Sequence, residues 1–271
     1  MVILRCPVRA HLLRAPLQSS TEDSTPIQYL IHLAFDSAYA CMYNPHVVQI
    51  RSRNYQEERK MTGPIDAIMA FHNAFRRDMG IIDAAALGSA RGKPGMAPAI
   101  ERFRFFNEVL VWHAHGEELA IFPAVEAVAP SVAEAYERDH RGLDAAFDAL
   151  NAAASAGDAL ETARASAAFK FHLDIHLDKE DAHVYRLIRE RVSLPDQGKA
   201  VGVMANTVPK DRFPELVAWM YPLMGHDDRE NMTRIWQMVM PPPAFAQAKQ
   251  LIQKAIGNAW AELTRRIPTL A

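Results

Sequence analysis

In VWHAHGEELAIFPAVE (residues 111–126), His113 and Glu117 lie one helical turn apart inside an otherwise apolar stripe. At about 100° per residue, Glu117 lies about 40° from His113, with Phe106 and Ala124 near 20° and Leu110 near 60°. HLDKEDAHVYRLIRE (residues 176–190) repeats the arrangement. Glu180 stands about 40° from His176, with Phe169 and Leu187 near 20° and Leu173 near 60°. His72 shares a helical face with Ile65, Ile68, Met69, Phe75 and Met79, and His140 shares one with Ala133, Tyr136, Leu143 and Phe147. Burying imidazoles and carboxylates is costly unless each finds a partner. One inward histidine is ordinarily a hydrogen-bonded core residue; four, with two carboxylates one turn beyond two of them, point to bound metal. Such a set exceeds what one tetrahedral zinc uses, and carboxylates that can bridge suit a pair of six-coordinate ions. Ligation by imidazole and carboxylate without sulfur favours Fe, with Mn or Zn as alternatives.

Neighbouring polar residues have plainer readings. His115 and Glu118 point away from His113 by about 200° and 140°, which makes them surface groups or partners that orient a ligand. Tyr136 reads as a core aromatic with a satisfied hydroxyl, and Phe122 and Pro123 as packing and helix-bending residues. His183 follows Glu180 at the spacing used in ferritin-like sites, but the balance of histidines and carboxylates is the reverse of that fold's. His11, His32, His46 and His226 match no ligand spacing. Neither a serine nucleophile motif nor a glycine-rich phosphate loop occurs.

The elements that must carry the six residues are helical. From Thr62, a candidate N-cap, 3.6-residue periodicity runs through four segments at about 64–87, 97–127, 130–154 and 158–192, joined by short Gly-, Pro- and Ala-containing breaks. The expected fold is all-α, an antiparallel four-helix bundle over residues 61–192. A further helical region, broken at the prolines of 241–243, occupies residues 193–271 and packs on the bundle. Residues 1–60 lack sustained periodicity and read as an irregular extension, or as sequence upstream of a translation start at Met61. Cys6 and Cys41 both precede residue 61, so the body of the chain has no thiolate site. A formal charge of -2 without a basic aromatic patch argues against nucleic acid. The lack of a long apolar run argues against a membrane span and favours a cytoplasmic protein.

FHNAFRRD, HAHGEELAIFPAVE, ERDH and HLDKEDAHVYRLIRE, in that order and spacing, resemble the hemerythrin-like (HHE cation-binding) family. The nearest branch is that of the hemerythrin domains of iron-sensing ubiquitin ligases and their bacterial stand-alone relatives. The resemblance covers residues 63–192 and, more loosely, extends to about 262. It implies that His72, His113, Glu117, His140, His176 and Glu180 bind two Fe ions, oxo- or hydroxo-bridged, with both glutamates bridging. Respiratory hemerythrins carry a second histidine one turn along the third helix, where this chain has Asp144. Asp144, His172 or water would complete the coordination, and the departure weighs against fast reversible oxygen carriage.

The function expected from the resemblance is binding or sensing of oxygen, peroxide, nitric oxide or iron. The alternative is a di-iron enzyme of catalase-like or ferroxidase-like type, for which Tyr136, Asp144 and Glu118 are the acid/base candidates. A bundle whose histidines are merely packed is the third reading. No protein partner is named by any motif.

Overall fold

The computed structural model describes residues 63–271; the expectations placed on residues 1–60 and on Thr62 lie outside them. No strand occurs among the described residues. A 3-10 turn, Pro64–Asp66, leads into α1 (Ala67–Ala90). The helix α2 (Met96–Gly116) passes through a π turn, Glu117–Ile121, into α3 (Phe122–Val128). Then come α4 (Ala133–Ala156), α5 (Ala159–Lys179), a second π turn, Glu180–Val184, and α6 (Tyr185–Arg191). Thus α2 with α3, and α5 with α6, each make one long bundle rod. The rods neighbour one another around the bundle in the order α1, α5, α4, α2.

The joints follow local chemistry. Gly157 ends α4 in the left-handed region (φ 74°), a conformation that glycine adopts without the Cβ clash. Asp158 then caps α5 by accepting from the Glu161 N–H at 3.0 Å. The third bundle helix begins at Ala133, later than the expected opening at Pro130 and Ser131, and Ser131 itself has φ 70°.

The π turns correct the register expected beyond each glutamate. The Phe122 N–H bonds the Glu117 carbonyl and the Tyr185 N–H bonds that of Glu180, five-residue closures that insert one residue per rod relative to an α-helix. Every later position is turned by about 100°. Ala124 and Leu187, expected near 20° on the inward face, are therefore only partly buried, and Val125 and Ile188 are fully buried instead. Pro123 has no N–H to donate and sits just past the π turn, where the hydrogen-bond ladder of the rod is already interrupted.

The remaining helices are α7 (Leu194–Ala205), α8 (Phe213–Leu223), α9 (His226–Val239), α10 (Pro242–Ile256) and α11 (Trp260–Arg266). Helices α8 and α9 lie against α1, and α7 lies against α2 and its π turn. α7 crosses so closely that a Cβ on Gly116 would stand 3.0 Å from the Met204 Cα. The Thr207 hydroxyl, just beyond α7, lies 2.7 Å from the Trp112 carbonyl.

Apolar packing falls into two clusters. One joins Phe75, Phe106, Phe169 and Leu173 of the bundle to Trp219, Met220 and Tyr221 of α8. The other gathers Ile65, Ile121, Phe122, Val125, Tyr136, Tyr185 and Ile188 at the opposite end of the rods. Asp78 on α1 is fully buried at the first cluster's edge, accepting from the Trp219 indole at 2.6 Å and from Arg102. Burial raises its carboxyl above the ordinary value, against the pull of Trp219 and Arg102. Asp78→Ala, which leaves the indole N–H without its acceptor, is expected to lower unfolding stability by about 2 kcal/mol in urea titration. An unchanged midpoint would mean that apolar packing alone holds α8.

Candidate metal centre

Between the two clusters lies a layer of buried ionisable groups: His72 from α1, His113 from α2, Glu117 from the first π turn, His140 from α4, His176 from α5 and Glu180 from the second π turn. All six residues singled out in the sequence meet there, and their ligating atoms form two overlapping groups. His72 and His113 with Glu117 and Glu180 make one; His140 and His176 with the same two glutamates make the other, the atoms of each lying within 4.8 Å of one another. Each carboxylate gives one oxygen to each imidazole pair. Glu117 Oε1 is 3.2 Å from His113 Nε2 while its Oε2 is 3.4 Å from His140 Nε2. Glu180 Oε2 is 3.6 Å from His72 Nε2 while its Oε1 is 3.4 Å from His176 Nε2.

Outside this layer, carboxylates orient the rings. His72 Nδ1 lies 2.8 Å from Asp181, which Arg76 also holds at 2.8 Å. His140 Nδ1 lies 2.9 Å from Glu118, in keeping with the orienting role expected of Glu118. His176 Nδ1 faces Asp139 at 3.7 Å, with Lys179 paired to the same carboxylate. Each such pairing directs Nε2 inward, the tautomer a metal ligand needs. The Tyr185 hydroxyl donates to Glu117 Oε1.

The charges are unevenly held. Burial acts to raise Glu117, but the imidazoles of His113 and His140 overcome it and keep its carboxyl well below the usual range. Glu180 is pushed well above that range by burial, reinforced by Glu117, Asp181 and Asp139. Burial lowers His113 and takes His176 down to about 3, whereas His140 is raised because Glu117 and Glu118 outweigh its burial. Tyr185 is raised by burial and by the two glutamates, so its hydroxyl stays a donor.

Even so, Glu117 Oε2, both oxygens of Glu180, His140 Nε2 and His176 Nδ1 are buried without a hydrogen-bond partner. Leaving one such atom unmatched costs about 1–3 kcal/mol, a large fraction of a domain's total stability of about 5–15 kcal/mol. A cation between the two carboxylates would satisfy the inward-facing atoms together, so the donor set fits a metal.

A cavity of about 240 Å³ reaches this layer from the α2 and α4 side, lined by Asn107, His115, Glu118, His140 and Asp144 among others. Asp144 and His115 are exposed at it, and neither belongs to the two ligand groups. His172 and His183 are exposed and also stand outside both groups. Tyr136 is buried, its hydroxyl 3.3 Å from the Lys179 carbonyl. Phe122 packs on His140, ring centroids 5.2 Å apart.

Sequence reasoning missed Tyr185 and Asp181. On an unbroken α-helix Tyr185 falls about 180° from His176, and the π turn brings it to about 80°. The signal available for Asp181 was the acidic doublet itself: in Glu117–Glu118 and Glu180–Asp181 the first residue turns inward and the second meets an imidazole on another helix. Tyr185→Phe removes a donor from a buried carboxylate and is expected to destabilise the metal-free protein by about 1.5–3 kcal/mol in urea unfolding. No loss would mean that the phenol only fills space.

Comparison with known proteins agrees with this geometry. The hemerythrin HHE cation binding domain matches residues 63–188. Zinc finger protein BRUTUS of Arabidopsis thaliana is 23% identical over 203 residues, covering 72% of this chain and 16% of that protein. A BRUTUS-like zinc finger protein of the same plant is 22% identical over 212 residues, covering 74% of this chain and 16% of that protein. The chain thus spans about one sixth of the length of these relatives. No solved structure matches the chain. Residues 63–188, with the all-α bundle and the buried histidine–glutamate layer they build, belong to the hemerythrin HHE cation-binding domain family.

Proposed function

We propose that His72, His113, Glu117, His140, His176 and Glu180 hold two iron ions bridged by the two glutamates, in a protein that binds or senses oxygen, peroxide, nitric oxide or iron. The observation that carries this reading is the sharing of both carboxylates between two imidazole pairs, one oxygen to each. A single ion would use one of the two groups and leave the other unmatched. Iron, when bound, would supply a redox-active centre open to a small ligand.

The protein's part is positional. Asp181 and Glu118 fix the rings of His72 and His140, and Tyr185 fixes one oxygen of Glu117. The 240 Å³ cavity gives a diatomic or peroxide molecule room to approach from the His140 side. Metal-binding free energy is also folding free energy when the ligands lie on separate elements. Occupancy would therefore alter the stability of the whole bundle, a form of sensing that needs no further group. Among the described residues no helix is long and apolar enough to cross a membrane.

The same cavity supports a second reading, an enzyme acting on peroxide or ferrous iron, because Glu118 and Asp144 line it as carboxylates able to exchange protons with solvent. Turnover of peroxide by iron-loaded protein, lost on substituting either carboxylate while iron is retained, would favour that reading over sensing.

Metal analysis and the visible spectrum of protein produced with iron are expected to give about two irons per chain with ferric charge-transfer bands, both lost in Glu117→Ala. One zinc insensitive to that substitution would overturn the assignment. The pH dependence has a definite sign. Glu180, raised well above the ordinary range, holds its proton in the metal-free protein, and a metal must displace it. Iron uptake is therefore expected to release protons, with apparent affinity higher at about pH 8 than at about pH 6. A flat dependence would mean that iron uptake displaces no proton from Glu180.

A further inference from the structure

We propose that the chain has a second binding site, for an uncharged molecule of about one aromatic ring, in the apolar cavity between α1, α2 and the helices α7, α8 and α9. The cavity measures about 160 Å³, and its walls include Phe71, Trp112, Val201, Phe213, Leu216 and Trp236. An apolar cavity of about 150 Å³ is large enough to stay dry and bind benzene. Here four aromatic side chains line the space, so a ring can meet them edge-to-face or offset, arrangements worth about 0.5–1.5 kcal/mol each beyond area burial.

Its wall is built almost wholly of apolar side chains, which disfavours water as the occupant. The Thr207 hydroxyl lies 2.7 Å from both the Trp112 and Met204 carbonyls. His113, also in the wall, directs Nε2 at Glu117 and stacks its ring on Phe71, centroids 5.9 Å apart. A buried water needs two to four polar partners. Access exists, since Gly202, Ala205 and Val239 line the cavity and are exposed.

This site shares only His113 with the cavity that approaches the metal layer from the α4 side, and it does not depend on the metal assignment. Gly202 supplies a clean test. It lies within α7, and a Cβ built on it meets nothing within 4 Å. Gly202→Leu therefore adds a bulky side chain at the rim and improves helix propensity without a clash at its first atom.

The probe is toluene, added to the metal-free full chain and followed by tryptophan fluorescence, with Trp112 and Trp236 in the wall, and by saturation-transfer NMR. Saturable binding by the wild type, weakened tenfold or more in Gly202→Leu while circular dichroism and the unfolding midpoint are retained, would support the site. If Gly202→Leu does not fold, Ala205→Phe on the same rim takes its place. Non-saturable partitioning by the wild type, or unaltered binding by a folded plug variant, would overturn it.

Discussion

Six ionisable side chains buried in one layer, between two apolar clusters, set the electrostatic problem that the rest of this fold answers. A lone carboxylate or imidazolium in such a place would be neutralised by a shifted pKa. Here, orienting partners come from outside the layer and cross between helices. Asp181, beyond α5, serves His72 on α1; Glu118, beyond α2, serves His140 on α4; Asp139 on α4 faces His176 on α5. The rings of His72 and His140 are therefore hydrogen-bonded to a different rod from their own, and that of His176 faces one. The polar layer registers the four rods against one another, which non-directional apolar packing does less specifically.

The two halves of the layer are built alike. Each starts with a histidine, reaches an inward glutamate one turn later, and at once enters a π turn whose second residue is acidic and turned toward a neighbouring helix. A π turn widens the helix locally. It also rotates the helix beyond it, placing Phe122 against His140 and Tyr185 beside His72. The aromatic lid under the layer and the layer itself thus share one backbone device.

That device marks the limit of what the residues alone disclosed. His113, Glu117, His176 and Glu180 were legible because they precede or begin the π turns, and His72 and His140 because α1 and α4 have none, so that 3.6-residue spacing holds at all six. The all-α bundle was legible for the same reason, from long periodic segments with capping and turn residues between them. Beyond Glu117 and Glu180 the regular spacing slips by one residue, and Val125, Ile188 and Tyr185 escape it. Nothing in local propensity signals a π turn clearly: Pro123 fits the first, but the second has no proline. Asp78, with its indole partner 141 residues away, was hidden because its role is set by a tertiary contact.

The C-terminal helices cover the side that the bundle leaves open. Phe71, Val109 and Trp112 lie on the α1–α2 side, and α7, α8 and α9 close over them. The closure is close at Gly116, where the Met204 backbone approaches too near for any larger side chain to sit without displacement. Gly116 is the residue immediately before Glu117. One of the two carboxylates that both imidazole pairs share is therefore carried by a turn that has α7 pressed against the residue just before it. Close-packed interiors transmit strain because they have little free volume to absorb it. Met204 lies at the C-terminal end of α7, and just beyond that end the Thr207 hydroxyl, 2.7 Å from the Trp112 carbonyl, ties the same end to α2. The C-terminal region and the rod that carries Glu117 thus meet in a close-packed contact one residue before that carboxylate.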